Sequence, residues 1–392
     1  MSTETINASV LHAAKDLRVE QRTLSPPSSN EVQIRIASTG LCGSDLHYYS
    51  HFRNGDILVR EPLSLGHESA GVITEVGADV SHLSVGDKVA LEVGLPCEQC
   101  QRCTEGRYNI CPNIKFRSSG KAFPHFQGTL QERINHPAKW VYKLPSEISL
   151  DVGALLEPLG VALHAFRRSL MPKDASVIVF GAGAVGLLCA AVAKLKGAKK
   201  VVIADIDAGR LDFAVKNGFA HSSYTVPMRR GKDVEESLAI AKETAAEIGR
   251  VDGGGVGEVD VVFEATGVPS CVQAGIYATK PGGRIMLVGM GHPVQTIPLG
   301  AAALREVDIV GVFRYADTYQ ESIDIVLQAQ KSADGPDFSK LVTHRFSGLQ
   351  EAVKAFEMAG KTKDAEGKLV IKVIIDSSDE AQGKVAKLLV SE

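Results

Sequence analysis

Short alternating or β-branched runs dominate the first ~150 residues. The stretches 32–36, 71–76 and 87–91 each read as strands, with Gly, Pro and Asn punctuating the chain between them. This predicts a β-rich, barrel-like domain. From about Ala175 the rhythm becomes apolar strand, glycine turn and amphipathic helix: Ser176–Phe180, Ala184–Leu195, then 201–206 and 210–217. That alternation predicts a parallel sheet, which the strand-like runs Val259–Glu264, 284–289 and Asp308–Gly311 continue.

After Lys340 the pattern returns to β character, with 369–375 strand-like, so the tail is expected to rejoin the first domain. The division predicted is 1–158 with 316–392 for one domain and 159–315 for the other. A charged, Ala-rich helix over 233–248 with a Gly-rich turn after it, inside 228–257, reads as a surface insertion. A chain of 392 residues is long enough for two cores. At 44% hydrophobic and 23% charged it has ordinary globular usage.

A formal net charge of -3 and the lack of a long basic run argue against general binding to nucleic acid or anionic membrane, leaving small molecules as the expected partners. No run approaches the ~18 apolar residues of a membrane span, and the opening Met-Ser-Thr-Glu lacks the features of a signal peptide. A cytoplasmic location is expected. Seven cysteines, four of them crowded into one segment, suggest metal chemistry in a reducing compartment.

The run Val177 to Phe180 leads into Gly181-Ala182-Gly183-Ala184-Val185-Gly186 and a helix, the context in which a glycine fingerprint binds a dinucleotide. The next strand, beginning at 201–203, leads to Asp205, near the ~20-residue spacing at which an acid meets the adenosine ribose, which favours NAD over NADP. Arg210 either pairs with Asp205 or lies against the adenine. Cys97, Cys100, Cys103 and Cys111 form the ligand set of a closed, structural zinc site, whereas Cys189 and Cys271 sit in apolar contexts and read as packing residues. Candidates for an open, catalytic zinc site are Cys42, His67, Glu68 and Glu157, although spacing alone also allows a core thiol and a capping pair.

Several segments together resemble the zinc-containing medium-chain dehydrogenases, and within them the sorbitol and polyol dehydrogenases. They are Gly40-Leu41-Cys42-Gly43-Ser44-Asp45-Leu46-His47-Tyr48, Gly66-His67-Glu68-Ser69-Ala70-Gly71, Gly86-Asp87-Lys88-Val89-Ala90, the four-cysteine loop, Leu156-Glu157-Pro158-Leu159, the glycine fingerprint and Val312-Phe313-Arg314-Tyr315. The resemblance covers nearly the whole chain. It implies an α/β protein with a GroES-like catalytic domain and a Rossmann domain, using zinc and NAD on a polyol.

By the same resemblance the catalytic metal takes Cys42, His67, Glu68 and a water, with Glu157 either ligating or holding that water. Glu157 stands where the simple alcohol branch carries a cysteine. Whether Glu68 ligates directly or stands behind the ligands is left open. A proton relay through Glu157, or through Ser44 towards His47, is implied. Tyr48, Arg314 and Tyr315 match substrate positions; Val185, Arg210, Val288, Gly289, Met290, Val312, Phe313 and Arg314 match positions lining the dinucleotide.

The resemblance also implies a homotetramer. The segment 116–126 departs from the pattern by replacing a shorter Pro-rich stretch, and this puts substrate identity in question. The alternatives are another zinc-dependent alcohol or threonine-type dehydrogenase and, from a different class, a non-catalytic NAD-binding protein.

Overall fold

The computed structural model describes residues 3–378, so the tail 384–392, whose role the sequence left open, lies outside the described residues. Contacts divide the chain into Met1–Glu157 with Phe338–Glu392, and Pro158–Asp337. The second unit therefore runs past 316, where the sequence pattern had placed the return to the first. The difference is the helix Tyr319–Lys331, whose Glu321 receives Arg167 and Lys196 of the second unit. No helix among the described residues is long and apolar enough to cross a membrane.

The first unit is organised by a seven-stranded sheet ordered Val141–Lys143, Lys88–Leu91, Glu68–Val76, Glu31–Gly40, Lys372–Asp376 and Val342–Ser347, with Arg133–Pro137 also on Glu31–Gly40. Glu31–Gly40 is the hub. Its Val32, Ile34 and Ile36 pack with Ile73, Val89 and Leu91 in one core, each such burial contributing ~1.5–3 kcal/mol. Gln33 is also buried, and its side-chain oxygen is satisfied by the Thr74 hydroxyl at 3.0 Å. An N-terminal hairpin, Glu4–Ala13 with Asp16–Leu24, adds a strand pair that the polar Asp16–Leu24 sequence had hidden.

In the second unit all six strands are parallel, in the order Ser222–Thr225, Lys200–Asp205, Ser176–Phe180, Val259–Glu264, Thr279–Leu287, Asp308–Gly311. This is the doubly wound order of a dinucleotide-binding sheet, whose ligands sit at the carboxyl ends of the strands. The charged helix expected at 233–248 spans Val234–Gly249 and is started by Asp233, which accepts from the Glu236 N–H at 2.8 Å. It is not a surface appendage. Ala241, Ala245 and Ile248 lie in the same core as Ile178, Val202 and Val262, so one face of the helix covers the sheet.

Candidate active site and metal centres

Cys42 lies immediately after Glu31–Gly40 and Leu41, and caps the helix Gly43–His51 in extended backbone conformation. His67 and Glu68 come from the neighbouring strand, where Glu68 pairs in register with Gly40. Adjacent strand ends thus bring a thiol, an imidazole and a carboxylate together, their ligand atoms all within 4.8 Å of one another. Glu157 is buried at the start of the helix Leu156–Ser169 and is not in that group.

Asp45 organises this cluster, although it was quoted only as part of a motif and given no role at the sequence level. It is fully buried. One oxygen accepts from His67 Nδ1 at 3.2 Å, the Gly66 N–H at 3.2 Å and the Ser118 hydroxyl at 2.5 Å; the other accepts from the Cys42 N–H at 3.3 Å. Burial alone would push its carboxyl up, but the His67 ring and the Ser118 and Gly66 donors outweigh that and hold it below the usual range. With Nδ1 engaged, Nε2 of His67 is the nitrogen left to face a metal.

The divergent segment 116–126 is tied into the same structure. Phe116 packs edge-on against the His67 ring at 5.5 Å, and Ser118 reaches Asp45. The Tyr48 hydroxyl accepts from the Gly120 N–H at 3.2 Å and meets the Ser119 hydroxyl at 3.5 Å. Tyr48 itself is buried in a core with Leu41 and Leu63, so its ring packs as a core residue. Ser44 is partly buried and His47 exposed, three apart on one helix.

The second candidate metal centre is the four-cysteine loop. Cys100 and Cys103 sulfurs are 3.5 Å apart, Cys97 and Cys111 3.5 Å, and Cys97 and Cys103 4.0 Å. A zinc with ~2.3 Å sulfur bonds in a tetrahedron needs sulfurs about 3.8 Å apart, which this set matches. Backbone N–H groups of Gln99 and Cys100 lower the Cys97 thiol to about 6, favouring the thiolate that metals require. The loop is moored by Tyr108, whose hydroxyl donates to the buried Glu92 at 2.6 Å. Cys189 is buried and its thiol pushed up to about 12 by burial, in keeping with a packing residue.

In the second unit the glycine fingerprint turns at Gly181, where φ is 98°. A side chain at Gly186 would place its Cβ 1.8 Å from the Gly181 oxygen, so only glycine allows the loop to close on the helix Ala184–Leu195. Gly183 caps that helix without any side-chain bond, leaving its first-turn N–H groups directed to the loop. Asp205 closes the far side, accepting from the Ala182 N–H at 2.6 Å and the Asp207 N–H at 2.9 Å. One guanidinium nitrogen of Arg210 lies 3.7 Å from where a Gly183 Cβ would be, beside the glycine loop.

Val185 lies in the helix Ala184–Leu195. Val288, Gly289 and Met290 follow the strand Thr279–Leu287, and Val312 and Phe313 follow Asp308–Gly311. All five thus stand at carboxyl ends of parallel strands. Arg314 adopts φ 51° with its guanidinium 4.8 Å over the Phe313 ring. Tyr315 is 3% exposed beside Tyr319, at a ring separation of 5.7 Å.

The alcohol dehydrogenase GroES-like domain family matches residues 28–146, and the zinc-binding dehydrogenase family matches 184–328. Sorbitol dehydrogenase of Gallus gallus is 40% identical over 366 residues, 93% of this chain and 96% of its own. Sorbitol dehydrogenase of Homo sapiens is 42% identical over 349 residues, 89% of this chain and 91% of its own. Galactitol-1-phosphate dehydrogenase from Escherichia coli superposes with a TM-score of 0.77 at 26% identity, covering 95% of this chain and 100% of that one. With a GroES-like first unit, a Rossmann second unit and identity to these relatives along nearly its full length, the chain belongs to the zinc-containing medium-chain dehydrogenase family, in its sorbitol dehydrogenase branch.

Proposed function

We propose that the protein is a zinc- and NAD-dependent polyol dehydrogenase that oxidises a secondary alcohol of a sorbitol-, xylitol- or L-arabinitol-type substrate to the ketose. The observation that carries this is the convergence of Cys42, His67 and Glu68 on one point, oriented by Asp45. A thiolate, an imidazole and a carboxylate are donors that zinc accepts, and three protein ligands suit a site with an open position. The uncapped helix end at Gly183 and the carboxylate at Asp205 likewise fit a dinucleotide. Bound at these residues, a zinc ion would supply Lewis-acid polarisation for the substrate hydroxyl and NAD a hydride acceptor.

The chain's own groups do the rest. Asp45 fixes the ring of His67 and, through the Cys42 N–H, the backbone that carries the thiolate. Glu157 is one acceptor for the hydroxyl proton in this reading, and a route from Ser44 towards the exposed imidazole of His47 is the other. Arg314 and Tyr315 serve the polyol hydroxyls and the cofactor in this reading, and Tyr48 acts through the 116–126 segment that its hydroxyl braces. A cytoplasmic homotetramer completes it.

The test is the initial rate of NAD reduction by metal-analysed protein with sorbitol, xylitol, L-arabinitol, galactitol, ethanol and threonine, with and without chelator. Chelator-sensitive turnover of a polyol is expected. Zinc-replete protein that turns over only ethanol or threonine would move the assignment to a sister branch, and no turnover of any alcohol would favour a non-catalytic NAD-binding role.

Cofactor choice gives a second expectation. The Asp205 carboxylate would meet the 2′-phosphate of NADP, and like charges in contact cost several kcal/mol. Asp205→Ser is therefore expected to raise the kcat/KM ratio of NADP to NAD by ~10²-fold, at ~1.4 kcal/mol per decade. Parallel kinetics with both cofactors decide it: an unchanged ratio would remove Asp205 from the ribose site and leave it its bonds to the Ala182 and Asp207 N–H groups.

A further inference from the structure

Lys372 opens a strand whose next three residues, Val373, Ile374 and Ile375, are apolar, and it is 5% exposed. Its ammonium donates to Glu68 Oε1 at 2.7 Å, to Glu68 Oε2 at 2.6 Å and to the Leu41 oxygen at 3.1 Å. All three protons are thereby placed. Glu68 is also one of the three residues whose ligand atoms converge within 4.8 Å. One buried carboxylate therefore answers to two positive partners, the ammonium and a metal.

The seat that Glu68 occupies is built for this. A Cβ on Gly40 would lie 2.3 Å from Glu68 Oε2, so the carboxylate can rest there only because residue 40 lacks a side chain. Gly40 pairs with Glu68 on one side and with Ile374 on the other, which sets the final strand and Lys372 against the ligand strand.

We propose that Lys372 is a positioning residue of the metal centre: by holding both oxygens of Glu68 it weakens that carboxylate as a metal ligand and keeps one coordination position exchangeable. The proposal rests on the zinc reading above. A group that donates to a ligand's oxygens competes with the metal for their lone pairs, and partners standing behind metal ligands shift affinity by ~10–100-fold. Asp45, by contrast, acts on His67 and on the Cys42 backbone rather than on Glu68.

Cobalt(II) is the probe, added to protein whose four-cysteine site is already filled with zinc. Lys372→Met and the less disruptive Lys372→Gln are expected to bind cobalt about tenfold more tightly, with altered visible absorption bands, as Glu68 turns to the metal. Lys372→Arg should keep the wild-type spectrum, and adding Glu68→Gln to either neutral variant should abolish the tightening. Should Lys372→Met fail to fold, Lys372→Gln carries the same expectation. Unchanged or weaker cobalt affinity in folded Lys372→Gln, beside a wild type that binds normally, would overturn the proposal alone. A wild type that takes metal only at the four cysteines would overturn the zinc reading and the proposal with it.

Discussion

His67→Ala is expected to lower kcat/KM for the preferred polyol by ~10⁴-fold, because Lewis-acid stabilisation worth several kcal/mol is lost at ~1.4 kcal/mol per decade. NADH affinity should stay within about threefold, since the glycine cradle at Gly181 to Gly186 and Asp205 belongs to the other unit. The fold should also stand. Asp45 loses one donor but keeps the Ser118 hydroxyl, the Gly66 N–H and the Cys42 N–H, so its buried carboxylate is not stranded. Steady-state kinetics, a fluorescence titration with NADH and metal analysis of one preparation check all three statements. Turnover within about tenfold of wild type would show that the chemistry does not run through His67.

Cys103→Ser is expected to act on stability. The Cys103 sulfur sits 3.5 Å from that of Cys100 and 4.0 Å from that of Cys97, and a hydroxyl cannot replace a thiolate in a closed four-sulfur shell. Structural zinc contributes ~10–16 kcal/mol in small isolated domains. Here the loop keeps its mooring through Tyr108 and Glu92, so only part of that is lost. A loss of ~3–5 kcal/mol lowers the melting midpoint by roughly 10 °C. The variant should lose one equivalent of zinc and expose residues 97–111 to proteases, with catalysis falling far less than in His67→Ala. Full zinc content and an unchanged melting curve would show that the four cysteines are not a metal site.

Much of this was legible in the sequence, for reasons that vary by residue. The parallel sheet announced itself because buried strands between helices read as apolar runs, and Ser176–Phe180 and Val259–Glu264 lie where those runs stand. The hairpin strand Asp16–Leu24 did not, since it is mostly partly exposed and reads as polar. The helix Val234–Gly249 looked like a surface insertion because five charges are spread among mostly small apolar residues, while burial is confined to one face.

At the candidate site the ligand residues were found through a resemblance, as Cys42 and Glu157 are far apart in the chain and no local spacing links them. Their supports were not found. Asp45 stood inside a quoted motif, yet its role depends on His67 being folded against it. Lys372 had one visible signal, a charged residue heading an apolar run, and its partner Glu68 is 304 residues away.

That separation bears on how the chain assembles. The strand Lys372–Asp376, which seats Lys372 and pairs with the hub strand Glu31–Gly40, is translated after the whole second unit. A ribosome-bound chain can complete the Rossmann core first, and only then close the first domain around its last strand. The seat in which Glu68 rests is thereby completed only when this late strand pairs with Gly40.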